Sequence, residues 1–200
     1  MTVSTAWRLF ALGLVAALLG CVGREFVRPD DDSLKLGKST YSELVGKLGS
    51  PTSETMVTRN GQTLKRVSYT HARSMGTSTG SDVSAIRVQA LEFYNEVLVF
   101  HNFLSTWAED STNFDERKKD QIAKGQTTRT QLVALLGRPT GGYIYPATSS
   151  KSDEGVIYSY AEALRSKRGS GSNVNRKTLE VMFDESGVVK EVKFTLVEAQ

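Results

Sequence analysis

Cysteine is nearly absent from this 200-residue chain: Cys21 stands alone. A single thiol cannot close an internal disulfide or build a cysteine cage around a metal. Histidine is almost as scarce. His71 and His101 lie in strand-like stretches with no Cys, Asp or second His at ligand spacing, so each reads as a strand residue rather than a metal ligand. The chain carries no G-x-S-x-G elbow, no H-E-x-x-H and no P-loop. With only four prolines, long disordered linkers are not expected. A strong charge of either sign is lacking too. The net charge is +3, and no Lys/Arg run has interleaved aromatics, which argues against a nucleic-acid partner. These absences predict no cofactor, no metal and no small-molecule substrate, and they leave an enzyme as the weakest reading.

What is present begins at the N-terminus. Arg8 precedes an apolar run from Leu9 to Leu19, too short to span a bilayer as a helix but suited to the core of a secretory signal. Gly20 then stands before the cysteine. Leu18-Leu19-Gly20-Cys21 resembles a bacterial lipobox, although Leu19 sits where smaller or β-branched residues are commoner. The alternatives are an ordinary cleaved signal with an incidental cysteine, or an uncleaved anchor. The lipobox resemblance implies cleavage after residue 20 and acylation of Cys21, with the chain anchored in a membrane by lipid. Val22 rather than Asp after the cysteine implies the outer membrane, on its periplasmic side. Residues 21–33 then read as a short polar tether. Its Asp30-Asp31-Asp32 triplet fits a solvated run better than a metal site.

One motif occurs twice. Gly37 to Thr52 and Gly125 to Thr140 align without a gap, and the Gly, Thr, Leu, Val, Leu, Gly, Pro and Thr positions are identical. Each copy spells a two-turn helix. Thr40 with Glu43, and Thr128 with Gln131, have capping-box spacing. Leu44, Val45 and Leu48 form one apolar stripe, and Leu132, Val133 and Leu136 form its twin. Gly49 and Gly137 suit a left-handed stop, and Pro51 and Pro139 prevent resumption. A helix that short needs a surface to pack on.

Strand patterns follow each copy. Asn60-Gly61 signals a hairpin. The segments 67–72 and 158–163 align on Tyr69 and Tyr160. Val188, Val192, Phe194 and Leu196 alternate with Val189, Glu191, Lys193 and Thr195, with Lys190 as the exception. Residues 111–125 predict a further helix. Val97 to Phe103 is apolar on both faces. It is either a central strand covered on both sides, or a strand whose second face meets a sister unit or a partner. The expected fold is α+β: two tandem repeats, each a short helical part on a three- to four-stranded antiparallel sheet, over 34–108 and 109–200.

The twice-used helix motif followed by strands resembles the SmpA/OmlA (BamE-like) family of outer-membrane lipoproteins. Its tandem arrangement resembles the β-lactamase inhibitor protein architecture. The first resemblance implies a protein-interaction module in envelope biogenesis or maintenance, with an envelope protein as partner. The second implies an inhibitor-type binding protein. The Trp-x-Tyr of the lipoprotein family is replaced by Val67-Ser68-Tyr69 and Tyr158-Ser159-Tyr160, and the inhibitor's disulfides cannot form here. Candidate interface residues are Phe100 and Phe103 on the two-faced strand, and Arg165, Lys167 and Arg168 in a basic Gly/Ser loop that is either solvated or meets lipid phosphates or an acidic partner.

Overall fold

Antiparallel pairing runs unbroken across the molecule. The computed structural model describes residues 25–75, 83–164 and 173–198. Its strands are β1 (Ser53–Arg59), β2 (Gln62–Met75), β3 (Val83–Tyr94), β4 (Val97–Ser105), β5 (Gly141–Ile144), β6 (Glu154–Leu164), β7 (Asn173–Phe183) and β8 (Val189–Val197). They lie side by side in chain order as one eight-stranded sheet. This corrects the expectation of two repeats, each with its own sheet. Because β4 pairs with β5, the ladder does not stop between the two motif copies. The only α-helices among the described residues are α1 (Tyr41–Leu48) and α2 (Arg129–Leu136). The helix expected over 111–125 is a 3-10 turn, Glu116–Gln121.

Directly paired residues share a face. One row crosses all eight strands: Glu54, Val67, Leu91, His101, Gly142, Val156, Val181 and Val192. Both helices pack on this face. Leu44 (1% exposed) enters a cluster with Val67, Tyr69, Leu91, Phe93 and Leu98. Leu132 (0%) enters another with Val156, Tyr158, Leu179, Val181 and Phe183. Burying one leucine contributes about 2 kcal/mol, so it is docking rather than propensity that holds an eight-residue helix.

The motif copies make matching contacts. Thr128 and Gln131 form the expected capping box, whereas Thr40 caps Glu43 N–H but Glu43 turns its carboxylate to Lys47 at 2.7 Å. Each leading turn is pinned to a distant strand: Gly37 N–H donates to Leu98 O and Gly125 N–H to Val189 O, both at 2.8 Å. Gly49 (φ 84°, ψ −170°) and Gly137 (φ 83°, ψ −162°) end the helices. That is not the left-handed helical well but an extended positive-φ region open almost only to glycine. The closing threonines bridge into the next strand. Thr70 N–H donates to Thr52 Oγ1, and Ser159 N–H to Thr140 Oγ1. The counterpart of Tyr69 is Tyr158, not Tyr160: their hydroxyls donate to Gly49 O and Gly137 O, each at 3.0 Å.

Two bulges reset the strand pattern. Glu92 pairs with Phe100 but Phe93 with Leu98, leaving Val99 extra on β4. Met182 pairs with Glu191 but Phe183 with Val189, leaving Lys190 extra on β8. The Lys190 anomaly in the alternation is thus a bulge. It puts Val189 (1% exposed) in the core and sends Lys190 to buried Asp153 at 2.8 Å.

The expected flexible tether is, from residue 25 onward, a strap laid across the helix face between α1 and α2. Phe26 meets Phe103 edge-on at 6.4 Å. Arg28 lies 5.9 Å from that ring and donates to Pro139 O. Asp31 takes a two-point bond from Arg138 at 2.7 and 2.8 Å. Under the strap, burial lowers the pKa of His101 to about 4; Arg28 and Arg138 lower it further and Asp31 opposes them.

The β4–β5 pairing and the strap over it make two predictions. A Cβ on Gly141 would stand 2.2 Å from His101 O, so Gly141→Val should cost about 2 kcal/mol or more in urea unfolding; an unchanged midpoint would mean β4 and β5 can part freely. His101 is neutral in both states above its ordinary pKa of 6.5 and contributes nothing there. As pH falls from about 6.5 to about 4 the unfolded chain takes the proton first, so stability drops, by up to about 3 kcal/mol. His101→Gln should flatten stability across that window.

Candidate functional site

The other face of the sheet is a trough. Its central row runs Thr55, Arg66, Glu92, Phe100, Tyr143, Gly155, Met182 and Glu191. Arg59 of β1, Arg66 of β2 and Thr195 and Val197 of β8 line one cavity of about 320 Å³ together with Phe100, Asn102, Ile157, Arg176, Thr178 and Glu180. Residues from opposite edges of the sheet can share a cavity only if the sheet curls. Small inward residues (Gly141, Gly155, Ser159 and Ala161) leave room for that curl on β5 and β6. Asn60, in the β1–β2 turn, spans the open side to donate to Pro146 O, at 2.9 Å, and to Thr148 O.

Charge converges on the floor. Glu92 is fully buried. Arg59 donates to both its oxygens, Nε at 3.2 Å and Nη2 at 3.1 Å, and Arg66 donates through Nε at 2.9 Å and through Nη2. The bond to Glu92 raises the Arg59 pKa. One carboxylate thus serves two guanidiniums, whose side chains stay 39% and 36% exposed. The Arg59 guanidinium also sits 5.8 Å from the Phe100 ring, a contact worth about 0.5–1 kcal/mol. Arg176 adds a third cation to the wall and, among the described residues, makes no ion pair; Glu180 is the second anion of the cavity. Beyond it, Tyr143 lies over Gly155, where a Cβ would meet its ring at 2.1 Å. Burial pushes the Tyr143 pKa up to about 12.

Asn102, itself part of the floor, ties it to the neighbouring strands. It donates to Ser159 Oγ at 3.0 Å and its Oδ1 lies 3.0 Å from the Thr140 hydroxyl. The second motif's closing threonine therefore ties β4 to β6 across the narrow β5.

Of the residues singled out in the sequence, Phe100 faces the trough. Phe103 (1% exposed) faces the other way and is covered by Phe26 and Arg28 of the strap. Cys21, Arg165, Lys167 and Arg168 lie outside the described residues. Arg176 and Lys177, which follow that basic loop in the sequence, belong to β7. Lys177 turns to the helix face, against Phe114, Tyr160 and Glu116. Sequence reasoning missed Arg59, Arg66 and Glu92. A signal existed in Leu91-Glu92-Phe93, where one acid interrupts an apolar strand. No group of three His, Cys, Asp or Glu able to hold a metal occurs among the described residues. Nor is any described helix long and apolar enough to cross a membrane.

No family model matches the chain, and no curated protein matches it. Among solved structures, it is similar to the "putative beta-lactamase inhibitor protein" from Streptococcus mutans, with a TM-score of 0.39 and 17% identity over 78% of this chain and 82% of that one. A likeness at that level carries no argument about either fold or function. The SmpA/OmlA resemblance rests on the motif residues alone.

The triad makes an asymmetric prediction. Arg59 and Arg66 reach solvent, so Glu92→Gln should cost only about 1–2 kcal/mol in a urea melt. Arg59→Met with Arg66→Met strands a fully buried carboxylate and should cost about 3 kcal/mol or more. Equal costs would show that Glu92 is hydrated in the folded protein.

Proposed function

We propose that this chain is a non-catalytic protein-binding module, held on the periplasmic side of the outer membrane by lipid on Cys21, and that a partner segment docks in the trough. The trough carries the reading. It is a preformed concavity whose walls converge Arg59, Arg66 and Arg176 on an apolar patch of Phe100, Ile157 and Val197. Three cations against Glu92 and Glu180 leave a surplus positive charge. The unused N–H groups of Arg59 and Arg66 suit a carboxylate brought by the partner. The complementary ligand is therefore an acidic side chain beside an apolar one, on an exposed segment of an envelope protein. Anchoring would raise the local concentration of any partner in the same membrane.

A role in envelope biogenesis or maintenance draws its support from the lipobox and from the twice-used motif. A groove of about 840 Å³ between the strap and the end of α1 is lined largely by strap residues 25–30 and by Lys47–Ser50. It lacks a comparable convergence of charge, and the trough is the better docking surface.

Site-specific photocrosslinking in cells checks the reading. A photoreactive residue at Thr195 or Val197, inside the trough, should give a discrete adduct with an envelope protein. One at Val133 of α2, 40% exposed on the opposite face, should not. Arg176→Glu should abolish the trough adduct while leaving the fold intact. Adducts from Val133 alone would move the interface to the helix face, and an adduct with a soluble enzyme would favour inhibition.

A further inference from the structure

The strap decides which end of the protein can approach a membrane. Residues that sequence alone reads as a free tether are fixed from Phe26 on. Arg87 donates to Phe26 O at 3.2 Å, and Arg87 is itself locked by Asp110 at 2.7 and 3.1 Å. That pair is buried, with Arg87 7% and Asp110 8% exposed. Phe26 packs on Phe103, Arg28 bonds Pro139 O, and Asp31 grips Arg138. If Cys21 carries lipid, as the proposed function holds, only five residue steps separate it from Phe26. Fully extended, they reach at most about 17 Å.

Phe26 sits at a defined end of the sheet. Beside it are Ser105, where β4 ends, and Trp107. The Trp107 ring stacks on His71 at 5.6 Å and 15° and lies 4.5 Å from the Arg87 guanidinium. The pairing places the last residues of β2, β4, β6 and β8 at this same end. The turns at Asn60-Gly61, Asn95-Glu96 and Ser186-Gly187 lie at the other. The nine residues of β4 separate the ends by about 27 Å. A 17 Å lead from Phe26 therefore brings the Trp107 end to the lipid surface and leaves the turn end away from it. Charge at this end is mixed, with Glu25 and Glu109 exposed, and it is the apolar, basic and aromatic residues that suit that place. Val27 is 73% exposed, Arg73 is exposed, and Trp107 offers an amphipathic ring of the kind enriched at membrane interfaces.

We infer that the end of the sheet formed by Phe26, Val27, Arg73 and Trp107 rests on the lipid surface, and that the docked strap sets this orientation. The trough then opens along the membrane, within reach of a partner's membrane-proximal segment.

Trp107 makes the test clean, because Trp7 is the only other tryptophan and lies in the signal segment. The mature, acylated protein is reconstituted in vesicles of phosphatidylethanolamine and phosphatidylglycerol, with and without brominated acyl chains. Trp107 emission should fall at least about twofold on brominated lipid, and a fluorophore on Ser186→Cys should not respond. Vesicle-bound protein with unquenched Trp107, or with Ser186 quenched instead, overturns the orientation. Releasing the clasp with Asp31→Ala and Arg28→Ala should reduce the quenching while flotation is kept; quenching that does not change removes the strap as its cause. Cys21→Ser reports separately on the anchor. If it keeps its acyl label and floats as before, the lipidation reading fails; loss of both with wild-type quenching intact leaves orientation and anchor each supported.

Discussion

The three residue pairs between β4 and β5 make this molecule what it is. Phe100 to Tyr143, His101 to Gly142 and Asn102 to Gly141 are the whole ladder across the middle. Without them the chain would be two four-stranded sheets, each with its own helix. With them it is one curled sheet with a continuous inner face. So short a seam succeeds because Gly141 removes the side chain that would strike His101 O, and because Thr140 and Asn102 carry hydrogen bonds over β5 to β6. The trough is a consequence: its floor residues, Phe100 and Asn102 of β4 and Ile157 of β6, are brought together across β5 by the seam.

The inner face joins two opposed demands. Burying Glu92 is costly unless guanidiniums surround it, and a guanidinium spent entirely on Glu92 could offer nothing to the partner proposed above. The sheet meets both demands by placing the carboxylate fully below the surface and both arginines half above it. The floor is thus fixed from within while its upper edge keeps open donors. Phe100 holds the Arg59 guanidinium against its ring, so the donor fork is presented with little side-chain entropy left to lose on binding.

Much of this was legible in the sequence where the signal was local. The helix bounds, the Thr128 cap, the glycine stops and the Asn60-Gly61 hairpin are written within a few residues of where they act. Two local readings failed, the helix expected over 111–125 and the left-handed form of the glycine stops; the other failures were non-local. Nothing in Gly141-Gly142 read alone says that β4 pairs there, so two separate sheets were expected. Tyr69 was aligned with Tyr160 because the spelling matched, but the shared hydrogen bond to the helix-stop carbonyl belongs to Tyr158. Lys190 stood out as an exception, and the bulge that explains it shows only in the pairing. The strap was read as a tether because its composition is polar. Its hold depends on Arg87, Phe103 and Arg138, which lie 61 to 107 positions away from their strap partners Phe26 and Asp31.

The repeat is most informative where its copies differ. The first stop reads Leu-Gly-Ser-Pro-Thr and the second Leu-Gly-Arg-Pro-Thr, so Ser50 stands where the second copy has Arg138. Both stops need the glycine, the proline and the strand-bridging threonine, and both keep them. The middle position is free of that duty, and in the second copy it is the residue that grips Asp31. Its neighbour Pro139 supplies the carbonyl for Arg28. Serine at that place could not span to the strap. One substitution in a duplicated helix stop thus turns a structural element into the clasp for the N-terminal segment. The surface ion pair it makes contributes little to stability by itself. Its effect is geometric: it removes the freedom of a tether and gives the N-terminal segment one direction from the sheet.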